Sequence, residues 1–255
     1  MVKKLPNISA RDFGTILNMN PYQTPFQLLE QKIENKYPFF GNKFTDHGNK
    51  YEKVAIEVYE TNTGNVVENE QRKLKHDEYD WITGKIDGLT TVIYINDENE
   101  NKDEEYEQIE NSKKRKRNTN TNTNMEKKKR KNKKTKKENK TRKCVIEVKC
   151  PLKEDRTETL TVDNVPKYYW CQCQVYMNIL NCDVAHYIEY YIKPGDTRDN
   201  GIMYYVEIKK DENWWKNSLI QIKKFYEEIK KYHELGCLDT HPVRIEEQKW
   251  MKIFC

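Results

Sequence analysis

Cys144 to Pro151 reads C-V-I-E-V-K-C-P, and no other stretch limits the architecture of this chain as sharply. An acid and a lysine alternate with β-branched residues, the pattern of a strand whose side chains point to opposite faces in turn. Ile146 and Val148 therefore share one face and suit a core, while Glu147 and Lys149 share the other. For a bare E-x-K, an exposed strand with a salt bridge is the commoner explanation. The other is a carboxylate that holds a metal beside an ammonium that holds a phosphate oxygen or polarises a water. Neighbouring segments decide between them.

Upstream, W-I-T-G-K-I-D-G-L (81–89) places Asp87 before a glycine at a strand end, and an apolar run from Thr90 to Ile95 follows. Residues 81–95 thus read as a hairpin. If its strands neighbour the E-x-K strand, Asp87 and Glu147 converge on one divalent ion. Mg²⁺ takes oxygen ligands, keeps several waters and favours sites completed by phosphates. Residues 45–62 read as an amphipathic helix with Tyr51, Ala55, Val58 and Tyr59 along one side and Glu52 at its border. Pro166 opens a further helix on which Gln172 and Tyr176, four residues apart, share a face.

Taken in order, these pieces resemble the restriction-endonuclease-like nucleases with the PD-(D/E)xK signature, and within them the lambda exonuclease branch of YqaJ-type viral recombinases. The resemblance runs through I-S-A-R-D-F-G-T-I-L (8–17), N-P-Y-Q-T-P (20–25), H-G-N-K-Y-E (47–52), I-D-G-L (86–89), V-I-E-V-K-C-P (145–151) and Y-Y-W-C-Q-C-Q-V-Y-M (168–177). It ends with tyrosine-rich strands near 185–192 and 203–209. It implies metal ligation by Asp87, Glu147 and the Val148 carbonyl, with Mg²⁺ or Mn²⁺ as the cofactor. It makes Lys149 the catalytic lysine, which orients or deprotonates the attacking water. Glu52 becomes an acidic helper and the contact of a second ion, and Gln172 and Tyr176 the pair on the active-site helix. Ser9, in the first helix, matches a phosphate contact.

The implied function is a Mg²⁺-dependent deoxyribonuclease, a 5′-to-3′ exonuclease on double-stranded DNA ends in viral or phage-like recombination and replication. A single-strand annealing protein is the implied partner and a trimer the implied assembly. Two alternatives stay open: a non-catalytic nucleic-acid-binding protein on the same scaffold, and an endonuclease or RNA-directed nuclease. Ile86 stands where the signature has proline, which matters little because the carboxylate holds the metal. Relatives carry a preceding helix with a tryptophan and an arginine that grip the DNA end. Met1 to Asn7 offers Lys3 and Lys4 instead, so the expectation is a grip by other cations, such as Arg11, or a different substrate preference.

Composition is uneven along the 255 residues. Residues 96–142 hold 17 Lys or Arg against 10 Asp or Glu, with no Leu, Val, Phe or Trp. That segment is net +7, so the formal +5 of the whole chain leaves −2 elsewhere. It cannot bury enough apolar area to offset its ordering entropy and is expected to be a disordered charged insertion within one nuclease domain spanning 1–255. Its basic half, including Lys114, Arg115, Lys116 and Arg117, reads as a DNA tether acting through counterion release, as a nuclear localisation signal, or as a tolerated low-complexity insertion.

Seven cysteines form no C-x-x-C pair and no zinc spacing with the five histidines, so reduced thiols are expected. That cysteine usage, with neither a signal peptide nor a long apolar run, points to an intracellular setting without a membrane span: cytoplasm, virus replication site or nucleus. No G-x-S-x-G elbow, P-loop or H-E-x-x-H motif appears. The fold expected is α/β (α+β), a restriction-endonuclease-like core with a central mixed sheet flanked by helices. Helices are placed near 9–18, 24–35, 45–62, 166–181 and 213–234. Strands are placed near 65–75, 80–86, 89–95, 143–149, 184–192 and 202–209.

Overall fold

Local chemistry sets the helix starts. Thr24 caps its helix by accepting from the Gln27 amide at 3.2 Å while Gln27 reaches back to the Thr24 amide at 2.9 Å, with Pro25 in the first turn. Asn42 and Asp211 cap two longer helices in the same manner, accepting from Phe44 and Trp214 amides. The computed structural model describes residues 4–38, 40–95, 139–153, 159–193, 195 and 201–254. Among these the order is β1 (Ile8–Ser9), α1 (Ala10–Ile16), α2 (Pro25–Glu34), α3 (Lys43–Thr63), β2 (Lys73–Lys75), β3 (Ile82–Lys85) and β4 (Gly88–Ile95). After these come β5 (Asn139–Lys149), α4 (Lys167–Leu180), β6 (Val184–Tyr191), β7 (Ile202–Lys209), α5 (Glu212–Leu235) and α6 (Pro242–Phe254).

The strands form two mixed sheets rather than the single one expected, with orders β1-β3-β2 and β4-β5-β6-β7. The 81–95 hairpin is not formed. β3 pairs in parallel with β1 and antiparallel with β2, and β4 neighbours β5. The chain changes sheet at Ile86 and Asp87, because their two sides are claimed by different partners. Ile86 donates to the Arg72 carbonyl, whereas Leu89 and Glu68 exchange both backbone bonds. The strand expected over 65–75 shrinks to Lys73–Lys75 for the same reason: residues 68–72 turn from one sheet to the other, with Asn69 and Gln71 at positive φ.

β5 and β6 run parallel in the register Glu147↔Tyr187 and Lys149↔Glu189, and α4 is the crossover between them. β7 returns antiparallel to β6. Alternation along β5 divides the interior in two. Val145 joins Ile8, Phe13, Leu29, Ile82, Cys173, Met177 and Ile222 on the α4 side. Cys144, Ile146 and Val148 join Ala55, Ile56, Tyr59 and Ile188 on the α3 side. Ala55, Ile56 and Tyr59 form the buried stripe of α3, and the expected Tyr51 and Val58 lie partly buried against the same core.

Two further differences concern the ends of the expected elements. α6 lies beyond the expected closing helix, held by Arg244 against Glu30 and Glu34 and by the Leu238 amide on Glu34 at 2.9 Å. β5 begins at Asn139, four residues before the expected start, so residues 139–142 belong to a strand and not to the insertion.

Contacts divide the chain into two units, 1–92 with 143–255, and 93–142. In the second, the Arg142 guanidinium lies 4.8 Å from the centre of the Tyr94 ring. The tether expectation for Lys114 to Arg117 falls outside the described residues.

Candidate active site

Glu147 sits on the α4 face of β5 and is 1% exposed, which removes the exposed-strand reading of E-x-K. One carboxylate oxygen, Oε1, takes a close ion pair from Lys149 Nζ; the other, Oε2, is buried without a hydrogen-bond partner. Burial and the nearby Asp87 carboxylate push the Glu147 pKa up to about 7, against the opposing pull of Lys149 and Arg11. Burial alone lowers the pKa of the Lys149 ammonium. The charges of Glu147 and Asp87 outweigh it and hold the lysine above its ordinary value. Lys149 also donates to the Val148 carbonyl at 3.0 Å and lies 4.8 Å from the centre of the Tyr169 ring, a cation–π distance.

Asp87 reaches this strand from the sheet-changing segment. Its Oδ2 accepts the Val148 amide at 2.8 Å, a bond across 61 residues, which leaves Oδ1 toward Gln71 at 3.5 Å. Gln71 Nε2 simultaneously makes a close bond to Glu52 Oε1 from α3. Burial, then the Asp87 charge, raise the Glu52 pKa. Three carboxylates thus stand in one small region, and two of them, Glu52 and Asp87, are linked through a glutamine whose backbone is held at φ 58°.

α4 supplies the opposite wall. Gln172 Nε2 donates to the Tyr176 hydroxyl at 2.9 Å, and that hydroxyl donates to the Lys85 carbonyl at 2.7 Å, two residues before Asp87. The Tyr176 ring lies over Gly84, where a Cβ would stand 2.5 Å from Tyr176 Cε1; glycine is what lets helix and strand approach so closely. Gln172 and Tyr176 therefore hold the backbone that presents Asp87. Burial and the Glu147 charge raise the Tyr176 pKa well above that of a free phenol.

The structure brings together Glu52, Asp87, Glu147, Val148, Lys149, Gln172 and Tyr176. Arg11, exposed on α1, is near enough for its charge to act on Glu147. Ser9 lies in β1 directly before the first helix, not within it, beside Thr83 of β3, and its amide donates to Asp12 at 2.7 Å. Gln71 and Tyr169 were not anticipated. The Tyr168-Tyr169 pair at the start of α4 was visible as sequence, whereas nothing local marks Gln71.

The donors suit a hard divalent cation such as Mg²⁺ or Mn²⁺. Glu147 Oε2 is an unsatisfied buried oxygen, and the Val148 carbonyl retains a second lone pair beyond its bond to Lys149. Among the described residues no three His, Cys, Asp or Glu side chains gather as a cation cage. Among the described residues no cysteine forms a disulfide, and no helix is long and apolar enough to cross a membrane.

Comparison with known proteins adds a family. An uncharacterized protein, R354, of Acanthamoeba polyphaga mimivirus is 30% identical over 87 residues, 34% of this chain and 16% of that protein. The match thus spans about one sixth of that relative's length. The alkaline exonuclease LHK-Exo of Laribacter hongkongensis has a similar structure, with TM-score 0.59 and 15% identity over 98% of this chain and 95% of that one. LHK-Exo in complex with dAMP is similar to the same degree, with TM-score 0.59, 14% identity and coverage of 94% and 95%. A phage-related exonuclease of Haemophilus somnus 129PT follows, with TM-score 0.51, 16% identity and coverage of 91% and 95%. These likenesses establish a shared mixed α/β fold. The YqaJ-like viral recombinase domain family matches residues 3–183, well over half of the chain, and the chain belongs to that family.

Proposed function

We propose that this protein is a Mg²⁺- or Mn²⁺-dependent deoxyribonuclease that hydrolyses phosphodiester bonds of double-stranded DNA, working from 5′ ends. The observation that carries the reading is the buried Glu147 carboxylate, which keeps one oxygen unsatisfied while ion-paired to Lys149 and set beside Asp87. A structural ion pair has its lone pairs satisfied, because an unsatisfied buried oxygen costs about 1–3 kcal/mol. An oxygen left open here is explained by a cation.

Asp87, Glu147 and the Val148 carbonyl would hold the ion, with Glu52 the nearest acid for a second. A bound divalent cation supplies Lewis-acid stabilisation of charge on the scissile phosphate. Lys149, kept charged by its carboxylate neighbours, is suited to hold a phosphate oxygen and orient the attacking water rather than to take its proton. Gln71 spaces the Glu52 and Asp87 carboxylates, and Gln172 with Tyr176 fixes the backbone that carries Asp87.

The test is digestion of a linear duplex labelled separately at its 5′ and 3′ ends, with Mg²⁺, with EDTA and with Glu147→Ala. Metal-dependent release of the 5′ label as mononucleotides, lost in the variant, is expected. Absence of cleavage of that duplex, of closed circular DNA and of RNA by folded protein would overturn the enzyme reading. DNA binding without cleavage would then lead.

A further inference from the structure

A run of tyrosine rings leads from solvent to the candidate site. Tyr22, in the loop after α1, is 82% exposed and meets Tyr168 edge-on, with ring centroids 6.1 Å apart. Tyr168 lies 4.2 Å from Tyr169, and Tyr169 carries the Lys149 ammonium at 4.8 Å. At the inner end Tyr169 stands 6.0 Å from the buried Tyr187.

A single exposed tyrosine is ordinary. This one is held in place by a built loop. The Met19 and Asn20 amides both donate to the Gly14 carbonyl, Asn20 Nδ2 to Thr15 Oγ1 at 2.9 Å, and the Tyr22 amide to Asn20 Oδ1 at 3.0 Å. The loop is registered on α4 as well: Met19 Sδ touches Cys171 Sγ, and α1 meets Tyr168 so closely that a Cβ on Gly14 would stand 2.6 Å from Tyr168 Cβ. Ordering a ring that stays in water gains little for folding. It does preorganise the exposed face of one ring, steadied by the edge of Tyr168 behind it, and single aromatic faces of this kind hold nucleobases by stacking in a sequence-tolerant manner.

We propose that the exposed face of Tyr22, braced edge-on by Tyr168 and through it by Tyr169, stacks a nucleobase of the DNA strand whose phosphate enters at Glu147 and Lys149. The proposal rests on the nuclease reading for the identity of the ligand. The inner ring, Tyr169, touches the ammonium assigned to the phosphate, so base and phosphate of one strand are served by adjoining surfaces. Tyr22 presents the outer, accessible ring, and Tyr168 is the half-buried ring behind it.

The experiment measures binding, so it is independent of cleavage. The 255-residue protein carrying Glu147→Gln is titrated against 5′-phosphorylated duplexes and single strands with 2-aminopurine at each of the four terminal positions. Stacking is expected to quench the fluorophore at one position. Adding Tyr22→Leu should relieve that quenching and weaken binding about 5- to 100-fold. Tyr22→Trp should preserve both, and an abasic residue at the quenched position should erase the difference between the parent and the Tyr22→Leu protein. Tyr22 is exposed, so melting temperatures of the variants should match the parent. Equal affinity and equal fluorescence with Tyr22→Leu, or no binding of either DNA by the parent, would overturn the proposal. Failure of the nuclease reading alone would appear instead as quenching that persists in a wild-type protein that cuts nothing.

Discussion

The two faces of β5 and β6 both bury polar side chains, and they do so on different terms. On the α3 face Tyr59 and His186 share a 2.7 Å bond between hydroxyl and Nδ1, Asn65 donates to the same hydroxyl at 3.2 Å, and the Tyr205 ring covers His186 at 4.6 Å. Burial pushes the Tyr59 pKa up to about 12, a phenol that stays neutral and bonded. On the α4 face Glu147 is held beside a second carboxylate with one oxygen unsatisfied. Burial of polar groups is common to both. What separates them is whether the group's bonding capacity is met within the protein; among the described residues of these two faces, it is the α4 face that leaves the Glu147 acceptor open for something else.

The largest expected effect is the loss of cleavage in Glu147→Gln or Asp87→Asn. Metal stabilisation of the transition state is worth several kcal/mol, so the rate should fall at least about 10³-fold. Tyr59→Phe, at the same depth on the other face, should leave the rate within about twofold. Steady-state digestion of one labelled duplex by all three proteins makes the comparison, and a Tyr59→Phe loss as deep as the carboxylate variants would erase the distinction between the faces.

Lys149→Met should abolish cleavage and also destabilise the fold, by about 3 kcal/mol at pH 8, because Glu147 loses its partner and must either stay charged and buried or take up a proton. The penalty should shrink at pH 5, where Glu147 takes up a proton. Urea unfolding of the metal-free proteins at the two pH values measures it. A penalty independent of pH would mean that the ionisation of Glu147 is not what the lysine stabilises.

Glu147 itself sets the sign of a third effect. Its folded pKa, about 7, lies above the ordinary 4.5, so between those values the folded state holds more protons than the unfolded one. Its contribution is fully present below pH 4.5 and is lost as pH rises toward 7. Relative to Glu147→Gln, the metal-free wild type should therefore lose stability across that window, by roughly 1–3 kcal/mol. Mg²⁺ should restore it at pH 8 by favouring the charged carboxylate. Thermal melts with and without the ion decide this.

Smaller changes test the packing that positions each face. Gly84→Ala drives a methyl into the Tyr176 ring and should cost about 1–3 kcal/mol, together with part of the activity, since the ring's hydroxyl braces the Lys85 carbonyl. Tyr59→Phe removes one satisfied buried hydroxyl and should cost about 1 kcal/mol of stability. Denaturant midpoints for the two variants give the ordering directly.

The principal strands and helices were legible because they rest on local periodicity. The alternation in V-I-E-V-K assigned Ile146 and Val148 to one side and Glu147 with Lys149 to the other, and both pairs lie so in the fold. The order Asp87, Glu147, Lys149, with Gln172 and Tyr176 on the following helix, also stood in the sequence. Where local signals misled, a long-range partner had overruled them. A glycine after Asp87 read as a hairpin turn, but Glu68 took Leu89 while Arg72 took Ile86, and the two strands went to different sheets.

By itself, then, the sequence determined which residues face together along each strand and helix, since side-chain direction follows from backbone period alone. Only the tertiary structure decided which faces meet. The Val148 amide on Asp87 closes over 61 residues and the Tyr176 hydroxyl on Lys85 over 91. Gln71 between two carboxylates and Tyr169 beneath the lysine exist as site residues only after those closures. Their roles depend on the electrostatics and burial of a shared interior, which no window of sequence contains.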